Sequence, residues 1–102
     1  MSLPDLGRFK EAKSVLRQTI PVARRVHGDG GEVTLKMRWT YGQSLYQDSA
    51  ATLDDLREAV TTLEDTERTA RRVFGGAHPD AVGIEESLRD ARAALGTCET
   101  QP

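Results

Sequence analysis

Residues 8–28 read RFKEAKSVLRQTIPVARRVHG, and residues 55–75 read DLREAVTTLEDTERTARRVFG. Both stretches carry Glu-Ala near the start, Leu in the middle and Ala-Arg-Arg-Val near the end. The offset is constant at 47 residues, since Ala12 recurs as Ala59 and Ala23 recurs as Ala70. Two matching segments at a fixed spacing are typical of repeat proteins, in which each repeat is one supersecondary unit. This pattern predicts the architecture of the chain.

Apolar side chains recur every three or four positions along both stretches, which is the period of an amphipathic helix. Glycines after His27 and Phe74 fit helix C-caps. Thr52 followed by Asp55 resembles a capping box, and Pro79 fits the first turn of a last helix. The predicted helices span about 8–27, 32–47, 53–74 and 80–95, between a lead-in at 1–7 and a flexible tail at 96–102.

Pro21 lies inside the first predicted helix, where proline removes one intrahelical hydrogen bond. The apolar stripe continues on both sides of it, so we expect a kinked helix rather than a loop. The same stripes place Val26, Val73 and Val82 among the inward residues. His27 aligns with Phe74, which favours a packed or half-buried histidine.

Composition excludes several classes of function. The 102 residues suit a single domain, and 14 basic against 16 acidic residues leave a net charge of −2. That balance gives no electrostatic attraction to nucleic acid or to an anionic membrane. No apolar run approaches the roughly 20 residues of a membrane span, and the first residues do not resemble a signal peptide. With a single cysteine, these features favour a cytoplasmic protein.

The order of these elements resembles the tetratricopeptide repeat (TPR). The residues that carry the resemblance are Gly-Arg-Phe-Lys-Glu-Ala at 7–12, a long helix, a glycine turn, and His78-Pro79-Asp80 before a further helix. More narrowly, they are similar to the long repeats of the kinesin light chain and nephrocystin type, over about residues 6–95. The resemblance implies an all-α, right-handed solenoid of antiparallel helix pairs, in which His78 caps or packs within the connector.

The point in the repeat at which the chain begins and ends implies that its terminal helices lack their usual neighbours. In the TPR pattern the chain begins on the second helix of one repeat and ends on the first helix of another. Helix-pair arrays usually need about three repeats and polar end surfaces for stability. We therefore expect either a part of a longer array or self-association through exposed terminal helices.

The TPR resemblance also implies where a partner would bind, because the first helix of each pair lines a concave groove. The side chains that this places on the groove side are Lys36, Trp39, Gln43, Tyr46, Gln47, Glu86 and Asp90. Trp and Tyr are enriched at binding hot spots, which favours a protein or peptide partner. An alternative stays open, in which Trp39 and Tyr46 only pack against a neighbouring helix.

Other chemistries have weaker support in the sequence. The glycines of 28–31 lack the lysine and the preceding strand of a phosphate-binding loop. His27, His78 and Cys98 share no metal-ligand spacing, and no nucleophile lies beside a base. We therefore predict a non-enzymatic scaffold without cofactor or metal that binds a protein or peptide. The alternative function is a structural spacer or self-associating segment of a larger protein.

Overall fold

The computed structural model describes residues 4–48 and 50–100 as four helices joined by short connectors. They are α1 (Pro4–His27), α2 (Glu32–Gln47), α3 (Leu53–Phe74) and α4 (Pro79–Thr100). No strand occurs in those two ranges, so the all-α prediction is confirmed. Residues 1–3 of the predicted lead-in, residues 101–102 of the predicted tail and Ser49 lie outside the described residues.

The helix bounds agree with the prediction for α2 and α3 and differ at the two outer ends. α1 begins at Pro4 rather than near Arg8, because proline is well suited to the first turn of a helix. α4 continues past Gly96 to Thr100, because its last turns keep contact with α3, where Arg57 pairs with Glu99 at 3.7 Å. Residues 4–7 and 96–100 are therefore helical.

The predicted cap of α3 is confirmed in detail. The backbone N–H of Asp55 donates to the Thr52 hydroxyl at 3.1 Å, and the backbone N–H of Thr52 donates to the Asp55 carboxylate at 3.1 Å. This reciprocal pair is a capping box, and it satisfies two backbone donors at the helix N-terminus. Local residue chemistry thus fixes where α3 begins.

The connectors after α1 and α3 have the same backbone hydrogen bonds. Each opens with a glycine in the left-handed region, Gly28 at φ 82° and Gly75 at φ 91°. Each glycine N–H donates to the carbonyl of the arginine four residues earlier, at 2.9 Å in both connectors. Three residues later Gly31 and His78 donate back to the glycine carbonyls, at 3.2 and 3.3 Å. The structure therefore repeats at the same 47-residue offset as the sequence.

The helices pack against their neighbours in the chain, α1 on α2, α2 on α3 and α3 on α4. α2 also approaches α4 directly, whereas no Cα atom of α1 lies within 8 Å of a Cα atom of α3. One core runs through α2, α3 and α4. It is formed by Leu35, Tyr41, Leu45, Ala59, Leu63, Ala70, Ala81, Ile84, Leu88 and Ala91, with Leu16 and Ile20 of α1 packed against it.

α1 runs without interruption through Pro21, which lies on an exposed part of the helix. The predicted helix, rather than a loop, is confirmed at this position. The predicted kink stays a prediction.

Three valines that the apolar stripes placed inward are exposed, so those assignments were wrong. Val26 and Val73 lie in the last turns of α1 and α3, where the alanine three residues earlier takes the buried position. On α4 the buried stripe begins at Ala81 rather than Val82. A shift of one residue turns a helical side chain by about a quarter turn, which explains the error.

His27 is exposed, contrary to the prediction, while its counterpart Phe74 is half-buried. Phe74 stacks on His78 with ring centroids 4.5 Å apart. The position equivalent to His78 in the first connector is Gly31, which offers no ring to stack on. His78 also accepts a hydrogen bond from the Asp80 backbone N–H at its Nδ1 atom, at 3.1 Å. Its expected capping and packing role is confirmed.

Candidate partner-binding surface on α2 and α4

Trp39 packs its indole across α4. The Nε1 atom donates to the Ser87 hydroxyl at 2.9 Å. A Cβ atom at Gly83 would lie 2.6 Å from the Trp39 ring, so this approach requires glycine. Trp39 is half-buried, and its contact with α4 is the packing arrangement that the sequence left open.

Gln43 joins the same contact one turn later. Its Nε2 atom donates to the Ser87 hydroxyl at 3.3 Å. The buried Ser87 oxygen therefore accepts hydrogen bonds from two α2 side chains. We call the set of Trp39, Gln43, Gly83 and Ser87 the α2–α4 seam. It fixes how the two equivalent helices of the repeat lie side by side.

Four of the predicted groove residues are exposed. On α2, Lys36 and Gln47 lie seven residues before and four residues after Gln43, which places all three on one face of the helix. On α4, Glu86 and Asp90 each follow a seam residue by three positions. We call Lys36, Gln47, Glu86 and Asp90 the polar strip.

The charged residues of the polar strip differ in whether they form ion pairs. Lys36 pairs with Glu32 one turn earlier, at 3.3 Å. Glu86 and Asp90 make no ion pair with any side chain in the described ranges. The strip therefore presents two uncompensated carboxylates to solvent.

Tyr46 takes a different position from the polar strip. It is half-buried, packs against the core and lines a shallow cleft of about 450 Å³. The cleft is formed with Leu56 of α3 and with Ala94 and Cys98 of α4. Both aromatic residues predicted for the groove thus make packing contacts between helices.

The sequence did not predict a polar cluster that joins α1, α2 and α3. The Tyr41 hydroxyl accepts a hydrogen bond from Arg17 Nε at 2.8 Å and donates one to Glu58. Arg17 and Glu58 also pair directly at 3.5 Å. Burial raises the pKa of Tyr41, and the hydrogen bond to Glu58 raises it further. The available signal was Tyr41 itself, a tyrosine where the equivalent position, Leu88, is apolar.

Two further clefts on the surface are occupied by charge pairs. One of about 380 Å³ between α3 and α4 contains Glu64 and Arg92, which pair at 2.8 Å. The other, of about 310 Å³, contains Arg38 and Asp65, which also pair. Among residues 4–48 and 50–100, no group of His, Cys, Asp and Glu is arranged to hold a metal ion. None of the helices described for those residues combines the length and apolar character needed to cross a membrane.

Comparisons with protein-family models, with curated proteins and with solved structures found no match to this chain. The TPR relationship therefore stays a prediction from the sequence pattern. The function has to be argued from the surfaces of the molecule.

Proposed function

We propose that the chain is a TPR-like interaction scaffold that binds a segment of a protein partner on the surface of α2 and α4. The observation that carries this proposal is the direct contact between α2 and α4, while the backbones of α1 and α3 stay apart. Helices that approach closely on one side and diverge on the other form a curved stack. A curved stack of repeats presents an extended concave surface, and such surfaces bind partners.

The α2–α4 seam supports the proposal because it makes this surface rigid before a partner arrives. Ser87 is held by Trp39 and Gln43, and every buried polar side-chain atom among residues 10–48 and 50–99 has a hydrogen-bond partner. Fully satisfied buried networks restrict side chains to one arrangement. A preorganised surface loses less conformational entropy on binding.

The polar strip indicates the charge of the partner. Glu86 and Asp90 are exposed without an ion-pair partner, whereas Lys36 pairs with Glu32. A peptide that carries Lys or Arg complements this pattern. Charges at the rim of an interface act mainly on the association rate and make it sensitive to salt. We therefore expect binding of basic peptides that weakens as ionic strength rises.

The alternative, a structural spacer, is favoured by the packing of Trp39 and Tyr46 between helices of the chain itself. In that case the polar strip is only a solvated face. A variant of Trp39 does not separate the two functions, because truncating the indole would open the seam.

A peptide-binding experiment separates them. Arrays of basic, neutral and acidic peptides are probed with the chain, and the affinities of bound sequences are measured by fluorescence anisotropy. The test variant is Glu86→Lys with Asp90→Lys. The control is Glu85→Lys with Arg89→Glu, which inverts an exposed ion pair on α4.

We expect the test variant to weaken binding of basic peptides by about tenfold or more and the control by less than about threefold. If basic peptides do not bind, or if both variants bind equally well, the interaction proposal is wrong. The spacer function would then be the better explanation.

A further inference from the structure

One flank of α1 carries three exposed valines. Val15, Val22 and Val26 are 59%, 49% and 69% exposed. Their spacings of seven and four residues place them on one face of the helix. Among the side chains of residues 10–48 and 50–99, six large hydrophobic ones are markedly exposed, and half of those six lie on this flank. Such a concentration of apolar surface on a single helix indicates an interaction site.

The equivalent flank of α3 shows what covers these positions within the repeat. Their counterparts 47 residues later are Thr62, Thr69 and Val73. Thr62 shares a cleft with Arg38 of α2, and Thr69 is buried. A Cβ atom at Gly30, just before α2, would lie 2.9 Å from the Val73 side chain. On α3 this flank is therefore partly covered by another helix and its connector, with Thr69 buried and Val73 46% exposed, whereas on α1 it is exposed and more apolar.

The edge of the α1 flank has a charge pattern that complements itself. Glu11, Gln18 and Arg25 are exposed at intervals of seven residues, beside the valines. Glu11 and Arg25 pair with no charged side chain among residues 10–48 and 50–99. The acid lies toward the N-terminal end and the base toward the C-terminal end, with the neutral Gln18 midway.

We propose that this flank docks a second copy of the same chain, with the two α1 helices antiparallel. When the two copies of Gln18 face each other across a two-fold axis, Glu11 of each copy meets Arg25 of the other. The same register sets Val15 against Val22 of the second copy. A two-fold interface requires such self-complementarity, and opposite charges at the edges of paired helices set their orientation.

The outward face of α4 argues against a head-to-tail assembly. On α4 the outward positions are Arg89 and Arg92, where α2 has Gly42 and Leu45. Head-to-tail stacking would press two arginines onto the apolar flank of α1. We therefore expect the α1 flank to pair with its own copy, which gives an isologous dimer rather than a filament.

The interface is small, so the dimer is weak. α1 has 24 residues and is about 36 Å long. A single helix pair of this length buries less than the roughly 1,200–2,000 Å² of stable complexes. We expect a dissociation constant on the order of 10 to 100 μM.

Sedimentation velocity of the full chain from about 5 to 500 μM, a range that brackets this dissociation constant, tests the proposal with a charge-swap series. The variants are Glu11→Arg, Arg25→Glu and the double variant that carries both. Lys10→Glu is the control, because Lys10 is exposed on the other side of α1. Circular dichroism of every variant checks that the helices are retained.

We expect a concentration-dependent dimer. Each single reversal places like charges at both ends of the interface and should weaken it by about tenfold or more. The double variant restores the opposite pairs, so its affinity should return to within about threefold of the original. Lys10→Glu should change the affinity by less than about threefold.

A chain that stays monomeric at 500 μM, a dimer insensitive to the single reversals, or a double variant that fails to recover each overturns the proposal. Capture of a different amphipathic helix by a monomeric chain also overturns it. None of these results bears on peptide binding at α2 and α4, since the variants leave the polar strip unchanged.

Discussion

α2 and α4 occupy the same place in the repeat but meet different surroundings. α2 packs between α1 and α3, whereas α4 packs on α3 and α2 alone. Leu35 on α2 is 1% exposed, and its counterpart is 40% exposed. The contrast falls at three pairs of positions, which are Leu35 and Val82, Gly42 and Arg89, and Leu45 and Arg92. Two helices at equivalent positions of the sequence repeat thus differ where their packing differs, and the outer surface of α4 carries Arg89 and Arg92 where α2 has Gly42 and Leu45.

The largest expected effect on stability comes from truncating equivalent residues of the two helices. Leu45→Ala removes a fully buried side chain from the core, and we expect a loss of about 3–5 kcal/mol in the free energy of unfolding. Arg92→Ala removes an exposed ion pair with Glu64, for which we expect a loss of about 1 kcal/mol or less. Urea unfolding followed by circular dichroism measures both values.

Equal losses in the two variants would contradict the comparison. They would mean that Arg92 stabilises the outer surface of α4 as strongly as Leu45 stabilises the core. Glu64→Ala is the matched control for Arg92→Ala, since it removes the other partner of the same ion pair.

The repeat and the local caps could be predicted from the sequence, because they depend on residues close together in the chain. The capping box at Thr52 and Asp55 and the left-handed Gly28 are of this kind. The exposure of Val82 could not be predicted, because it depends on which helices are neighbours. On a helix of mixed small and large residues, the choice between Ala81 and Val82 is decided by tertiary packing.

The candidate site was predictable only in part for the same reason. The TPR resemblance placed Lys36 and Gln47 on the groove side of α2, and both are exposed, eleven residues apart on one face of the helix. The bond between Trp39 and Ser87 joins residues 48 positions apart, and nothing local to either residue indicates it. Whether an aromatic side chain contacts a partner or packs within the fold depends on the helix that faces it.

Glycines at close helix contacts give the second test. An added Cβ atom at Gly42 would lie 2.7 Å from Leu63, and one at Gly83 would lie 2.6 Å from the rigid Trp39 ring. We expect Gly42→Ala and Gly83→Ala to lower the free energy of unfolding by about 1–3 kcal/mol. At Gly96 no atom lies within 4 Å of the added carbon, so Gly96→Ala should stabilise by roughly 0.5–1 kcal/mol.

Chemical denaturation of the three alanine variants gives the order directly. If Gly42→Ala were as stabilising as Gly96→Ala, α2 and α3 would not approach as closely as the structure indicates. The difference between α2 and α4 at this position, Gly42 against Arg89, would then have no packing basis.

Tyr41 gives the third test, because its counterpart on α4, Leu88, has no hydroxyl. Tyr41→Phe removes the group that Arg17 and Glu58 share, and we expect a loss of about 1 kcal/mol at neutral pH. The loss stays modest because Arg17 and Glu58 already lie within 3.5 Å of each other. Leu88→Met is a volume-matched control on α4, and its effect should be below about 1.5 kcal/mol.

The same hydroxyl makes stability depend on alkaline pH. The pKa of Tyr41 is raised above its ordinary value of 10.0 in the folded protein, first by burial and then by Glu58. The unfolded chain therefore loses this proton at lower pH than the folded chain does. The stabilisation is fully present below pH 10 and is lost as pH rises through the raised pKa. Unfolding measured from pH 8 to 11 should show a steeper decline in the native protein than in Tyr41→Phe.

The smallest expected effect concerns the exposed flank of α1. Replacing Val15 and Val22 with threonine gives α1 the residues that α3 carries at Thr62 and Thr69. Because both valines are exposed, each change should alter the free energy of unfolding of the monomer by less than about 0.5 kcal/mol.

Unfolding is therefore measured at about 1 μM, where a dimer of the expected affinity is dissociated. A loss above about 1 kcal/mol would mean that the flank packs within the monomer, since surface substitutions usually change stability by less than about 0.5 kcal/mol. A small loss, together with a weaker dimer at high concentration, would mean that the valines on α1 serve association, while the threonines on α3 suffice where α2 already covers the flank.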